Sequence, residues 1–391
     1  MTGILFFNIG QLVTNDLSVD GSKLGVIENA AMLIDDGKVS WVGPNSEAPV
    51  DDVINQVDIK GQALIPGFVD SHTHMVFAGD RSQEFQARMQ GESYSSGGIM
   101  YTVAQTRAAS DAELTVNAQS LFAEAYSSGS TTLECKSGYG LTVEDERRSL
   151  MIAKSLTSET TFLGAHVVPA EHKMKSADYV ELVIGPMLDA VLPYSKWIDV
   201  FCDRGAFSPE DARTILKAGM AKGLLPRLHA NQLEQGEGIA LGVELNTASV
   251  DHVTHFNNND IELLSGSNTV ATLLPGAEFS TRSVYPDARR LLEANVAVAL
   301  ASDCNPGSSY TTNMPFIIAL AVRDMHFSPE QALWSATLGG AKALRRNDVG
   351  HLQVGAAADF VVLKEKSYIH LAYRPGVDLI EQVWRNGIKI K

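Results

Sequence analysis

The sequence predicts an α/β protein in which a (β/α)8 TIM-type barrel is joined to a small composite β-sandwich domain built from both chain termini. Three observations carry the prediction. Between Leu64 and about Gly350, eight apolar strand candidates alternate with helix candidates. Residues able to do chemistry stand at the C-terminal ends of those strands, where a barrel gathers its site. Both ends of the chain, residues 1–63 and 350–391, read as short strands and hairpins, which sets a composite terminal domain beside a catalytic barrel over 64–349.

Taken in order, the first sixty residues hold "AAMLIDDGKVSWVG", where Asp36-Gly37 sits between two apolar runs. That dipeptide signals a hairpin because both turn residues tolerate positive φ. The barrel strands follow as 64–71, 130–137, 160–167, 197–203, 226–231, 249–253, 270–275 and 296–303. The gap from about 76 to 129 is too long for one crossover helix, and its "GESYSSGGIMYTVAQTR" segment predicts a lid or mouth loop followed by a helix. "SPEDARTILKAGMAKG" predicts a helix with Ser208 as N-cap, Pro209 at the first position and Gly223 at the close. Near the C-terminus "AAADFVVLK" is a strand candidate, and "IEQVWRNGIKI" is a hairpin turning at Asn386-Gly387. A doubly wound open sheet would show the same alternation. The strand ends decide between them: His72 and His74, Lys136, His166, Asp203, His229, His252 and Asp303 converge on one mouth only if the sheet closes.

Composition narrows the function. Lysine plus arginine total 31 against 46 aspartate plus glutamate, a net charge of -15 with no basic cluster to track a phosphate backbone, so nucleic acid is an unsuitable partner. An anionic substrate would meet that field, and a locally placed arginine is needed to receive it. Three scattered cysteines, Cys135, Cys202 and Cys304, make no C-x-x-C pair and suit a reducing cytoplasm. The N-terminus lacks a signal-peptide pattern, and no apolar run reaches the roughly 18 residues of a membrane span, so no membrane partner is expected.

The chemistry begins in "LIPGFVDSHTHMVFAGDR". Residues two apart on a strand share a face, so His72 and His74 can aim both imidazoles at one point while Thr73 faces away. Alone, H-x-H is also compatible with a hydrogen-bonded surface pair. His229 in "RLHANQ" and Asp303 in "ALASDCNPG" end the fifth and eighth strand candidates. Three imidazoles and one carboxylate make a suitable shell for one zinc or iron ion per subunit, with room for water.

This ligand order resembles the amidohydrolase superfamily: H-x-H after strand one, histidines after strands five and six, aspartate after strand eight. Two-metal members carry a carboxylated lysine after strand four. Here that strand reads "VFCDRGAF" with no lysine, which points to one metal, and Lys136 after strand two is an ordinary lysine. More closely, "PGFVDSHTHMVFAGDR", "ECKSGYGL", "FLGAHVVP", "RLHANQL", "ASVDH" and "SDCNPGSS" resemble the imidazolonepropionase family, in order and along nearly the whole chain. That resemblance implies hydrolysis of the cyclic amide of 4-imidazolone-5-propanoate to N-formimidoyl-L-glutamate in histidine degradation. It implies substrate contacts at Arg81, Tyr139, His166 and Gln232, and a loop of Asn305, Gly307 and Ser308 whose backbone and hydroxyl donors cradle a carboxylate. A metal supplies the nucleophile at neutral pH. Asp303 then carries a proton to the leaving ring nitrogen, and His252 orients the water or acts as general base.

Three departures stand out. Asn231 replaces an expected carboxylate, "DHVTHF" carries an extra His255 that is either metal-adjacent or an exposed loop residue, and Glu278 is uncomfortable near an anion unless it points away or pairs with Arg282. The alternative within enzymes is a single-metal deaminase of a cytosine- or guanine-like ring. It would want a glutamate close after the fifth-strand histidine, where Asn231 and Gln232 stand instead. A non-catalytic scaffold would be expected to lose metal ligands, and all four are kept. A homodimer is the default expectation for assembly.

Overall fold

The computed structural model describes residues 3–49, 55–91 and 98–391. The chain divides into two compact units, one of residues 1–71, 123–132 and 313–391 and the other of 72–122 and 133–312. Residues 92–97 of the expected lid lie outside the described residues, and the helix expected after it is Ile99–Ala108.

Hydrogen bonding joins the terminal strands into one eight-stranded sheet. Ile4–Val13 lies antiparallel to Val26–Asp35 and parallel to Asn55–Asp58 and Ala63–Pro66, while Phe360–Leu363 joins Ala63–Pro66 to Ile380–Arg385. Both expected hairpins form: Asp36 and Gly37 have φ of 48° and 71°, Asn386 and Gly387 49° and 72°. Positive φ at both central residues matches the strand twist. One face buries Phe6, Phe360 and Trp384, with Phe6 edge-on to both partners at 4.9 Å and Trp384 stacked on Phe360 at 5.6 Å. Each such side chain contributes about 1.5–3 kcal/mol by leaving water.

The expected first barrel strand, 64–71, is two strands. Ala63–Pro66 belongs to the terminal sheet, which therefore runs three residues past the expected boundary at 63, and only Phe68–Asp70 enters the barrel. The break has a local cause. Pro66 has no amide to donate, and a Cβ on Gly67 would fall 2.2 Å from Thr131 Oγ1, so the chain changes sheets where only glycine fits. An apolar run carries no mark of which sheet it joins.

The barrel strands stand in the order Phe68–Asp70, Ser130–Lys136, Glu159–Ala165, Trp197–Cys202, Leu228–Ala230, Ser249–His252, Val270–Leu273 and Val298–Leu300. Among the described residues each pairing from the second strand to the eighth is parallel. The circle closes just beyond the strands: Thr73 bridges Cys304 in parallel, the His74 amide donates to Cys304 O at 2.9 Å, and the Asp303 amide donates to His72 O at 3.0 Å. An open sheet has no such seam. The fifth strand is interrupted, with Leu225–Pro226 and Leu228–Ala230 flanking a fully buried Arg227. Helix Pro209–Ala221 starts with a capping box between Ser208 and Asp211, with Pro209 in its first turn. Among the described residues no helix is long and apolar enough to cross a membrane.

Candidate active site

The residues of the site all belong to the second unit. His72 and His74 leave the end of the first strand with Nε2 atoms 3.2 Å apart, and Asp303 Oδ1 lies 3.5 and 3.6 Å from them. Thr73 faces away as strand alternation requires: its amide donates to Glu134 Oε2 and its hydroxyl to Glu134 O. The His229 ring centre is 4.5 Å from that of His72 and 5.5 Å from that of His74. Behind these rings, His72 Nδ1 lies 2.7 Å from Asp251 Oδ2 and His229 Nδ1 3.0 Å from Asp199 Oδ2. An imidazole that donates Nδ1–H to a carboxylate presents the bare Nε2 lone pair on its other side. Burial holds His72 and His74 well below the usual histidine range, so both rings are neutral. Lone pairs and a carboxylate oxygen crowded at one buried point fit a metal cation, and among the described residues two triads could hold one, His72, His74, Asp303 and His72, His229, His252.

Burial pushes Asp303 well above the usual carboxylate range. A cation beside it reverses that direction. Its second oxygen, Oδ2, accepts from Ser308 Oγ at 3.1 Å. Asn305 Nδ2 in turn donates to Ser308 Oγ and to Asp303 O, while Asn305 Oδ1 accepts the amides of Gly307 and Ser308, both at 2.8 Å. The Gly307 and Ser308 amides are thus taken by Asn305 and the Ser308 hydroxyl reaches Asp303, while Asn305 and Ser308 also line the pocket.

The pocket beside the cluster is lined by Arg81, Tyr139, His166, Gln232, Asn305 and Ser308 together with His74, His229, His252 and Asp303. Arg81 is buried, with Nε and Nη2 paired to the two oxygens of Glu84, each at 2.8 Å. Gly307 gives it room: a Cβ there would stand 2.2 Å from Arg81 Nη1. Tyr139 rides on the "SGYGL" loop, whose amides at Gly138, Gly140 and Leu141 donate to Glu146 at 3.1, 2.9 and 2.8 Å. Gly138 has φ +112°, and its carbonyl meets His166 Nδ1 at 3.0 Å. The His166 ring stacks on His74 at 5.4 Å; burial, then the neighbouring His229, lower it to about 3.

Not every strand-end residue converges. Lys136 lies beneath the histidines, 2.9 Å from Asp199 and 3.1 Å from Glu134, as a cation and not a metal bridge. Asp203 turns aside and accepts the amides of Gln232 and Leu233 at 2.7 and 3.0 Å. The departures resolve similarly. Asn231, at φ 56°, donates to His255 O and Gly236 O, so a donor tolerant of left-handed backbone is needed where a carboxylate would repel. His255 joins neither metal-capable triad among the described residues. Glu278 does not pair with Arg282, whose Nη1 reaches Met89 O; it is buried, accepts from Thr254 Oγ1 at 2.7 Å, and burial raises it to about 7.

Glu84, Glu146, Asp199, Asp251 and Arg227 are the site's supporting residues that motif reading missed. Charged residues inside apolar strand runs, as in "WIDVFC" and "PRLHA", were the available signal.

Residues 187–388 match the model of the amidohydrolase family. The chain is 61% identical over 387 residues to the imidazolonepropionase of Mycolicibacterium smegmatis, covering 99% of this chain and 97% of that one. It is 60% identical to that of Salinispora tropica, with 99% of both chains covered, and 57% identical to that of Streptomyces griseus, with 100% of both covered. Among solved structures, guanine deaminase from C. acetobutylicum with bound guanine aligns with a TM-score of 0.75 at 16% identity over 100% of both chains. Atrazine chlorohydrolase TrzN from Arthrobacter aurescens, complexed with zinc, aligns at 0.73 and 17% over 99% of this chain and 95% of that one. These distant structures share the fold. With identity this high along the whole length and a metal-capable cluster closing the barrel mouth, the chain belongs to the imidazolonepropionase family of the amidohydrolases.

Proposed function

We propose that the chain hydrolyses the cyclic amide C–N bond of 4-imidazolone-5-propanoate to N-formimidoyl-L-glutamate in histidine degradation, using one zinc or iron ion per subunit. The observation that carries the reading is the His72, His74, Asp303 triad at the edge of a pocket that a buried arginine lines, in a chain 61% identical to a named imidazolonepropionase. His72, His74, His229 and Asp303 would hold the ion, which supplies Lewis acidity and a water nucleophile at neutral pH.

The chain's own groups manage the rest. Water adds across the bond, its hydroxyl to the carbonyl carbon and its proton to the ring nitrogen that leaves. Asp303, with Oδ1 toward the histidines and Oδ2 held by Ser308, carries that proton. His252 borders the same space, its ring centre 5.3 Å from that of His229, and orients the water or acts as general base. Arg81 receives the propanoate carboxylate or the ring oxygen, with Glu84 fixing the plane of its guanidinium. Tyr139, His166 and Gln232 complete the walls. Three buried free thiols suit a cytoplasmic setting.

An ultraviolet assay of imidazolone propanoate loss, with metal analysis of the same sample, tests the reading. Turnover that tracks metal content is the expected result. Release of ammonia from cytosine or guanine, with no loss of imidazolone propanoate, would replace it with the deaminase alternative.

A further inference from the structure

Two of the ligating histidines are oriented from below, and a single ammonium touches both groups that orient them. Lys136 ends the second barrel strand with a fully buried side chain. Its Nζ lies 2.9 Å from Asp199 Oδ2, 3.1 Å from Glu134 Oε1 and 3.9 Å from Asp251 Oδ2. Those same Asp199 and Asp251 oxygens face His229 Nδ1 at 3.0 Å and His72 Nδ1 at 2.7 Å. We propose that Lys136 is a positioning residue of the metal centre, tying the carboxylates behind His72 and His229 together so that both rings aim at one point. The inference rests on the metal reading above.

The local geometry supports a tie more than a charge effect. Asp199 Oδ1 is already occupied by the amides of Val200 and His229, at 2.8 and 3.1 Å, so Oδ2 is the oxygen that answers to both Lys136 and His229. Asp251 Oδ2 is shared among His72, Lys136 and Arg227, the last at 3.1 Å. Glu134 completes a set of three buried carboxylates served by two cations. Without Lys136 the cation that remains in contact with this set is Arg227, on Asp251. Like charges in a low-dielectric interior move apart or admit water, and the imidazoles against them turn with them, His72 through its hydrogen bond to Asp251 and His229 through its 3.0 Å contact with Asp199. A lysine acting on the metal through charge alone would have the opposite consequence, since removing a cation near a metal tightens its binding.

The test compares Lys136→Met with the unaltered protein, both prepared metal-free and shown to be folded by circular dichroism. Zinc affinity is read by competition with a chromophoric chelator, and site geometry by the visible spectrum of the cobalt-substituted protein. Zinc binding weakened about 10- to 100-fold with an altered cobalt spectrum is expected. Unchanged or tighter zinc binding, or an unchanged cobalt spectrum, overturns the inference. Absence of stoichiometric zinc binding in the unaltered protein instead overturns the metal reading itself. If Lys136→Met does not fold, Lys136→Gln takes its place: its amide can still donate to one carboxylate, so a smaller loss of zinc affinity is expected and none is the refuting result.

Discussion

Replacing Gly307 by alanine adds one carbon at the most crowded point of the pocket wall. The new Cβ would stand 2.2 Å from Arg81 Nη1, 2.7 Å from Cζ and 3.1 Å from Nη2, whereas ordinary contact begins near 3.4 Å, so the guanidinium must retreat by about 1 Å. Retreat is resisted because Arg81 is gripped by Glu84 through two bonds of 2.8 Å. Overpacking of this kind costs about 1–3 kcal/mol of stability. The larger effect is on catalysis, since displacing a substrate-positioning group by about 1 Å can cost roughly 100-fold, or about 2.7 kcal/mol of barrier. Steady-state kinetics on 4-imidazolone-5-propanoate should show kcat/KM down by about that factor, with thermal unfolding only modestly earlier. A double-mutant cycle identifies the cause. If Gly307 acts through Arg81, Arg81→Ala alone impairs use of the anionic substrate and Gly307→Ala adds little to it. Full additivity of the two losses, or Gly307→Ala kinetics equal to those of the unaltered protein, would refute the reasoning.

Asp303→Ala removes a ligand oxygen and the proton carrier together, so hydrolysis should fall to background in the ultraviolet assay; near-normal turnover would exclude the mechanism. Chelation should abolish turnover and lower the unfolding temperature, because an ion bound only by the folded state stabilises it, and zinc or iron should restore both. Glu278 has a folded value of about 7 against its ordinary 4.5, so the folded state holds the extra proton between those values. Stability should therefore fall as pH rises from 4.5 to 7, by up to about 3 kcal/mol, and urea unfolding of Glu278→Gln should lack that slope. An identical slope in the variant would assign the pH dependence elsewhere. Ser208→Ala removes a capping box outside the pocket's lining and should cost about 1 kcal/mol in urea unfolding with kcat/KM unchanged.

What the sequence made legible follows from periodicity and from strand-end position. His72, His74, His229 and Asp303 are readable because strand alternation and barrel closure fix where their side chains meet. Both terminal hairpins and the helix at Pro209–Ala221 are readable because their turn and cap residues have a local physical meaning. The supporting residues were harder. Glu146 reaches back to three amides from the helix after its loop, and nothing in "LTVEDERR" distinguishes it from the exposed Glu144 or the half-buried Asp145 beside it. The change of sheet at Gly67 was hidden for another reason. It depends on Thr131, sixty-four residues away in sequence, which no local pattern reports.

The least legible feature is how His252 reaches the pocket at all. Asp251 already takes the inward-facing position of the sixth strand, because its Oδ2 meets His72 Nδ1 inside the barrel. Regular alternation would then turn the next side chain outward, away from the mouth. The backbone supplies the missing turn, with His252 at φ 79° and Val253 at φ 51°, and so brings adjacent residues of one strand to the same centre. Asn231 and Asp303, just past the ends of the fifth and eighth strands, make the same left-handed step at 56° and 51°. Such conformations cost of order 1 kcal/mol or more in a non-glycine residue and persist where surrounding contacts over-determine them. Here those contacts are backbone bonds between neighbouring strand ends: the Val253 amide donates to Ala230 O, the His255 amide to Asn231 O and, at the seam, the Asp303 amide to His72 O. The strain thus falls at the strand ends, two of which carry His252 and Asp303 into the pocket, and backbone bonds between neighbouring strand ends hold it in place.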